Sequence, residues 1–247
     1  MMTSICYVLK FLAVSVLPYH AEAGSIFLAP IVATAAFITR SSSTVTPKTS
    51  SPIVPQALGA PICDYHEVSV STTQKGPPCQ KINVEDLTPT LKEMLEESGM
   101  QNGVINVISR HTTTAITVNE RESRLARDLE RTFLGLVPAD ERSHPAVATD
   151  GVRYQHNDIE ERPESEEEAQ RCRENGWDID DEAELERWRN QEPINAHSHL
   201  ISMLLGSSEG IPVVEGKMVI GQWQSCLLVD LDGPRDRTVG VQLLGYK

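Results

Sequence analysis

The chain has 247 residues, enough for one domain or two, and 40% of them are hydrophobic, which permits a real core. Its formal net charge is −13; residues 1–61 carry +2, so the rest of the chain carries −15. This acidic body argues against nucleic acid or an anionic membrane as the main partner. The five cysteines contain no C-x-x-C pair, and their scatter is typical of neither a zinc ribbon nor a disulfide framework.

The first 61 residues have the composition of a targeting leader. An apolar run at 11–17 and an A-x-A pattern at 21–23 outline a secretory signal peptide. Residues 25–61 contain no acidic residue and include a Ser/Thr/Pro-rich tract, which is typical of a transit peptide. A signal followed by a transit segment predicts delivery to a plastid, with secretion or a mitochondrion as the alternatives. We expect this leader to be disordered or removed, which leaves 62–247 as the folded domain.

The body alternates between predicted strands and predicted helices. Alternating or β-branched runs predict strands at 66–73, 79–84, 103–109, 115–119, 223–231 and 237–244, together with two strands around a turn between Gly206 and Gly221. A further short strand is considered at 152–156. Apolar spacing with caps and glycine stops predicts helices at 88–98, 122–135 and 195–205. The pattern predicts an α+β fold, a compact β-sandwich-like core of mostly antiparallel strands with about three helices.

Residues 157–192 form a separate acidic block. They contain 15 acidic and 5 basic residues, and they predict two solvated helices at 164–173 and 181–189, anchored by Trp177 and Trp188. A solvated face is the ordinary interpretation of such a run, and a docking surface for a basic partner is the sharper one. We therefore predict an acidic helical insert in the domain.

The stretch 195–224 holds an unusual set of residues, with two histidines on a short apolar helix and a Gly-Gln-Trp-Gln motif at its end. On a helix, His197 and His199 point about 200° apart, so they cannot both face one site. His197 shares its face with Leu200, Ile201 and Leu204, which predicts that His197 lies on the core side.

Three histidines are candidates for a functional site because of their positions next to predicted elements. His111 follows a predicted buried strand, His156 ends a short segment, and His199 lies on the apolar helix. Neutral imidazoles bind zinc and similar metals, and imidazole also titrates near neutral pH as an acid or base. A purely structural role is the ordinary alternative for any one of them. The chain has no Walker loop, no G-x-G-x-x-G, no G-x-S-x-G and no H-E-x-x-H.

Several motifs come in an order that resembles the YjbQ-like family. They are the run His111-Thr-Thr-Thr-Ala-Ile-Thr-Val-Asn-Glu120, Asp128-Leu-Glu130, Val137-Pro138, His156, His199, Gly206-Ser-Ser and Gly221-Gln-Trp-Gln224. The resemblance covers about residues 65–245. It implies a compact α+β domain with a β-sandwich core that assembles as a homotrimer.

The resemblance also implies an activity, that of a secondary thiamine-phosphate synthase. This reaction couples a hydroxymethylpyrimidine pyrophosphate to a thiazole phosphate and releases pyrophosphate. The implied site is a pocket of His111, His156 and His199, acting both as catalytic residues and as ligands of a divalent metal such as zinc. The implied partner is a small phosphorylated substrate, with neither nucleic acid nor, in the mature form, a membrane.

This chain departs from the family pattern in four places. Arg121-Glu122-Ser123 replaces a usual Asp-Pro, Gln222 replaces a usual threonine, and Cys226 replaces a usual aliphatic residue. The acidic block separates His156 from His199, so we expect it to loop outward if the two histidines meet. The alternative function is a non-enzymatic metal-binding or small-ligand-binding protein of the same fold.

Overall fold

Two antiparallel sheets form the core of the protein. The structure is a computed structural model, and it describes residues 59–72 and 82–247. The eight strands, numbered along the chain, are β1 (Pro61–Ser71), β2 (Asn83–Asp86), β3 (Asn102–Ser109), β4 (Thr114–Asn119), β5 (Ser208–Val214), β6 (Lys217–Met218), β7 (Ser225–Asp230) and β8 (Asp236–Tyr246). The five α-helices among the described residues are α1 (Thr88–Ser98), α2 (Ser123–Leu136), α3 (Glu166–Glu174), α4 (Glu182–Gln191) and α5 (Ala196–Leu205).

The larger sheet has the strand order β1-β8-β3-β5-β6, and the smaller sheet has the order β2-β7-β4. Every pairing between these strands is antiparallel. The α+β sandwich predicted from the sequence is therefore confirmed. The leader predicted over residues 1–61 lies outside the described residues except for its last three, and it stays a prediction.

The main core lies between the two sheets. Alternate side chains of β3, β5 and β8 face alternate side chains of β4 and β7, because successive residues of a strand point to opposite faces. Leu91 and Leu95 of α1 close one end of this core. Strand β7 is buried on both faces, since Leu228 faces the main core while Val229 and Leu231 face a second cluster. This explains its continuous apolar sequence.

Helices α2 and α5 cover the outer face of the smaller sheet. Ile201 of α5 joins Ala115 and Val229 of the sheet in the second cluster, and Leu129 and Phe133 of α2 pack against it. Two buried serines also seat α5. Ser198 Oγ donates to the carbonyl of Leu231 at 2.6 Å, and Ser202 Oγ donates to that of Thr114 at 2.7 Å.

The acidic block forms the predicted helical insert, with its two helices α3 and α4. Their first N–H groups are capped by Ser165 and Asp181, as short polar side chains at this position usually do. Trp188 is buried with Ala169, Cys172 and Ile179, and Trp177 packs against them. The predicted tryptophan anchors are confirmed, and the insert has a small apolar cluster of its own.

Three local predictions need correction. Residues 155–157 form a single 3₁₀ turn, so the short strand considered at 152–156 is not present. Strand β7 begins at Ser225, and Gly221-Gln-Trp-Gln224 lies in a turn with Trp223 71% exposed. Leu200 and Leu204 of α5 are exposed although they share a face with buried His197. The side of α5 that contacts the sheet instead carries the buried serines Ser198 and Ser202, which hydrogen-bond to backbone carbonyls.

In the described part of the chain, no helix is long and apolar enough to span a membrane.

We expect Leu228→Ala to lower the free energy of unfolding by about 2–5 kcal/mol, because Leu228 is fully buried between the sheets and its loss leaves a cavity. Leu136→Ala is the matched control, since Leu136 is 65% exposed and its truncation should change stability by about 0.5 kcal/mol or less. Urea unfolding of both variants measures the difference. Equal losses in the two variants would contradict this packing.

Candidate functional site

A cleft of about 350 Å³ contains all three histidines singled out in the sequence, His111, His156 and His199. It opens where the loop after β3, the turn between β7 and β8, the start of α5 and the two ends of the insert come together. The charged part of its lining consists of four arginines and two carboxylates: Arg110, Arg162, Arg235, Arg237, Glu192 and Asp232.

His111 is held by its own sheet. Arg110 donates its backbone N–H to the carbonyl of Thr238, and His111 Nε2 accepts the N–H of Thr238 at 2.8 Å. Since Nε2 is the acceptor, the proton of the neutral ring is on Nδ1. His111 can therefore donate a hydrogen bond from Nδ1, whereas binding a metal would use the lone pair of Nε2 and displace the N–H of Thr238.

His156 and His199 are in direct contact, although 42 residues separate them in the sequence. Their ring centroids are 4.8 Å apart, and the ring planes meet at 68° in an edge-to-face arrangement. His156 lies in the 3₁₀ turn Gln155–Asn157, immediately before the insert, and His199 lies one turn into α5. The insert loops outward between them, as the sequence led us to expect.

The buried side chain of Asn157 connects the turn that carries His156 to the helix that carries His199. Its Oδ1 accepts the backbone N–H of Ala196 at 3.0 Å, and its Nδ2 donates to Asp140 Oδ2 at 3.1 Å. Asn195, the residue before α5, makes no side-chain cap to the helix, so Asn157 serves as a cap from a distant part of the chain. The two histidines are thereby held in a fixed relation.

Asp140 is fully buried at the centre of the loop beneath this bridge. It accepts hydrogen bonds from the Arg142 guanidinium and from the backbone N–H of Tyr154, as well as from Asn157. The hydrogen bonds from Arg142 hold the pKa of Asp140 well below its usual range, against the opposing effect of burial. Asp140 thus remains ionised and fixes the loop on which His156 stands.

A buried ion pair supports the opposite wall of the cleft. Arg237 donates to Asp230 Oδ1, and Thr72 donates to Asp230 Oδ2; both Asp230 and Arg237 are almost fully buried. This pair positions the first residues of β8, which include Thr238, the partner of His111. Charges buried in this way persist because each has its counter-ion and hydrogen bonds.

The surroundings lower the pKa of each of the three histidines. Partial burial is the largest cause in every case, although His156 is the most exposed of the three. Nearby positive charge adds to it, from Arg237 at His111 and from Arg162 at His156, while His199 is affected by both His156 and Arg162. The imidazoles are therefore neutral at pH 7 and offer both acceptor nitrogens and N–H donors.

The described residues contain no group of three or more His, Cys, Asp or Glu side chains arranged to hold a metal ion. The contact between His156 and His199 supplies two neutral imidazoles of the kind that bind zinc. His111 lines the same cleft, but its Nε2 is occupied by Thr238. The donor set present is thus a pair of imidazoles with a third nearby, rather than a completed three-ligand site.

The sequence analysis did not single out the arginines of the cleft, nor Asn157 or Asp140. Arg235 lies in the turn between β7 and β8, and Arg162 is one of five arginines in the acidic insert. No local pattern distinguishes them, because their role depends on which loops meet. The Gly-Gln-Trp-Gln motif lines a different cleft, of about 1000 Å³, so the stretch 195–224 does not form one site.

The fold and the cleft define a class of α+β sandwich proteins with a histidine- and arginine-lined site, and comparison with known proteins identifies the family. Residues 73–246 match the family described as UPF0047 protein YjbQ-like. The chain therefore belongs to the YjbQ-like (UPF0047) family, and the resemblance noted in the sequence is confirmed at this level.

Relatives and solved structures agree with this assignment. A UPF0047 protein of Methanothermobacter thermautotrophicus is 34% identical over 166 residues, which cover 67% of this chain and 85% of the relative. One from Archaeoglobus fulgidus is 27% identical over 165 residues, covering 67% of this chain and 94% of the relative. A YbjQ-like protein of unknown function from Sulfolobus solfataricus P2 superposes with a TM-score of 0.52 at 26% identity, covering 76% of this chain and 100% of that chain.

We expect Arg162→Gln to raise the pKa of both His156 and His199 towards 6.5, because it removes a positive charge that disfavours their protonated forms. Imidazole proton titration by NMR, in metal-free buffer, measures both values. Arg171→Gln is the control, since Arg171 is an exposed arginine of the same insert, paired with Glu167. An unchanged titration of both rings in Arg162→Gln would contradict the electrostatics described.

The same shifts set the pH dependence of stability. Because the folded-state pKa values lie below 6.5, the unfolded chain binds protons more readily. The contribution of the three histidines to stability is therefore complete above pH 6.5 and is lost as the pH falls through their folded-state pKa values. The urea midpoint of unfolding should decrease as the pH is lowered from 8 to 5. The triple alanine variant of the three histidines should show a smaller decrease over the same range.

Proposed function

We propose that this protein is an enzyme of the secondary thiamine-phosphate synthase type, joining a hydroxymethylpyrimidine pyrophosphate to a thiazole phosphate. The observation that carries the proposal is the convergence of His111, His156 and His199 on one cleft, with the rings of His156 and His199 in contact. Arginines line the same cleft, and guanidinium groups are suited to phosphoryl oxygens. The cleft thus combines acid–base groups with cations suited to phosphorylated substrates.

The reaction makes defined demands on such a cleft. The thiazole ring nitrogen forms a bond to the methylene carbon of the pyrimidine substrate, and the bond from that carbon to the pyrophosphate oxygen breaks. The bonding electrons leave with pyrophosphate, so the transition state develops negative charge on the leaving group. We assign Arg110, Arg162 and Arg235 of the cleft lining to stabilise that charge, and the Nδ1–H of neutral His111 is a donor for a phosphoryl oxygen.

The same imidazoles are our candidate ligands for a divalent metal such as zinc. A bound divalent metal supplies charge neutralisation at a pyrophosphate leaving group. The neutral state and mutual contact of His156 and His199 support this assignment, and His111 would contribute through Nε2 once it releases the N–H of Thr238. No catalytic step above requires the metal, so its presence is a separate question with a separate test.

We further propose a homotrimer acting on a small phosphorylated substrate in a plastid, without nucleic acid or, in the mature form, membrane as a partner. Exposed apolar side chains on α5 support self-assembly: Leu200, Met203 and Leu204 are 41%, 82% and 62% exposed on the helix that carries His199. The composition of residues 1–61 supports the plastid. Sedimentation velocity of the folded domain and imaging of the tagged full chain test these two proposals.

We expect alanine at His111, His156 or His199 to lower the rate of thiamine phosphate formation by about 10²–10⁴-fold, as is typical for loss of an acid–base group. His66→Ala is the matched control, because His66 is an exposed histidine on β1 outside the cleft. Product formation and pyrophosphate release are both measured. Complementation of a strain that lacks thiamine-phosphate synthase, at native expression, shows whether the activity is physiological. Full activity in the triple alanine variant would refute the catalytic proposal.

The metal proposal predicts that the purified protein contains a divalent metal, measured by elemental analysis, at up to one ion per chain. The triple alanine variant of the three histidines should lose it, and His66→Ala should retain it, because three imidazole ligands are removed in one case and none in the other. Undiminished metal in the triple variant would remove these histidines as ligands, whatever the outcome of the activity assay.

A further inference from the structure

The two ends of the acidic insert reach into the histidine cleft. Arg162, near the beginning of the insert, and Glu192, at its end, both line the cleft beside His156 and His199. The rest of the insert packs on its own cluster around Trp188. The insert is therefore joined to the site at its base, and its removal would take a cation and a carboxylate out of the cleft.

Several contacts hold the Arg162 side chain in place. Its Nε donates to Glu168 at 2.9 Å and its Nη1 donates to Glu192 at 2.9 Å. The guanidinium lies 5.3 Å from the ring centroid of Trp188, and Arg189 donates twice to the carbonyl of Arg162, at 3.0 and 2.9 Å. Its side chain is only 18% exposed. Such an arginine loses little conformational entropy when it binds a ligand.

Arg162 still has donors to offer. Its hydrogen bonds to other described residues use Nε and one N–H of Nη1, so the N–H groups of Nη2 remain for a ligand. A guanidinium presents its donors in a planar fork that matches two oxygens of a phosphate. Carboxylates fix Arg162 on one side, and its free donors lie beside the cleft. These are the features of an anion-binding residue.

The charge of the cleft lining agrees with this. The lining contains four arginines and only two carboxylates, Glu192 and Asp232, in a chain whose net charge is −13. The other partners of these arginines do not line the cleft: Glu67 pairs with Arg110, Glu168 with Arg162 and Asp230 with Arg237. The lining itself thus has two more cationic than anionic side chains, although each of these arginines also has a carboxylate partner.

We propose that the insert at 157–192 completes an anion subsite of the histidine cleft, in which Arg162 binds the phosphoryl oxygens of a diphosphate. The assignment to a substrate diphosphate rests on the proposed function; the binding of the anion does not. The insert then belongs to the site itself and determines which anion binds there, in contrast to a solvated face or a docking surface for a basic partner.

A purely structural role for Arg162 must be distinguished from this one, because the same ion pair with Glu192 joins the two ends of the insert. Arg162→Gln and Glu192→Gln both break that pair. They change the charge of the cleft in opposite directions, however. If Arg162 only joins the ends of the insert, both variants should lower the affinity for an anion to the same extent. If Arg162 binds the anion, only Arg162→Gln should lower that affinity.

The experiment is calorimetric titration of the full chain with inorganic pyrophosphate, in buffer that contains a chelator so that no metal bridges the anion. We expect Arg162→Gln to weaken binding by about 10- to 100-fold, as for the loss of charge-assisted hydrogen bonds. Glu192→Gln should bind as tightly as the unaltered chain or more tightly. Arg171→Gln, an exposed arginine of the insert, should bind unchanged. Circular dichroism establishes that each variant folds, and Arg162→Lys, which lacks the fork, replaces Arg162→Gln if that variant does not.

Three results would overturn the proposal: no pyrophosphate binding by the unaltered chain, equal affinity of Arg162→Gln and the unaltered chain, or equal weakening in Arg162→Gln and Glu192→Gln. Failure of the proposed function gives a different result, namely Arg162-dependent binding of pyrophosphate without any thiamine phosphate formed. Conversely, histidine-dependent synthesis that is unaffected by Arg162→Gln would leave the proposed function intact and remove only the anion subsite.

Discussion

The buried amide of Asn157 is the interaction on which the arrangement of the site depends. It joins the ionised carboxylate of Asp140 to the first N–H of α5, and it thereby links three separate parts of the chain. Without it, the first turn of α5 would lose its cap and Asp140 would lose a donor. An unsatisfied buried polar group costs about 1–3 kcal/mol, so the bridge contributes to stability as well as to geometry. His156 is the residue immediately before Asn157, and its position against His199 follows from this bridge.

The net charge of the whole chain differs from the charge of the side chains that line the cleft. The insert carries a net charge of −10, and 11 of its 15 carboxylates are exposed to solvent. At its base, however, two of its carboxylates hold Arg162 beside two neutral imidazoles. The acidic composition of the chain says nothing about the sign of the charge in the cleft, because a cleft is lined by only a few side chains.

Hydrogen bonds from Arg142 control the pKa of Asp140, but at the cleft histidines and at Cys226 the main influence is burial. It is the largest cause of the lowered pKa of each cleft histidine, and it raises the pKa of the Cys226 thiol to about 12. Cys226, one of the departures from the family pattern, therefore stays protonated and serves as a small apolar residue of the main core. Gln222, another departure, lines the cleft of the Gly-Gln-Trp-Gln turn and has no place in the histidine site.

The sequence by itself determined the α+β class, most strands and helices, the helical insert and the core-facing side of His197, because these follow from local periodicity and capping. It also indicated His111, His156 and His199, through motif order and position after predicted elements. Only the tertiary structure decided that His156 touches His199, that Asn157 caps α5 from 39 residues away, and that Arg162 enters the cleft. The reason is physical: contacts between distant segments depend on the packing of whole loops, and no periodicity within a short stretch records which loops will meet.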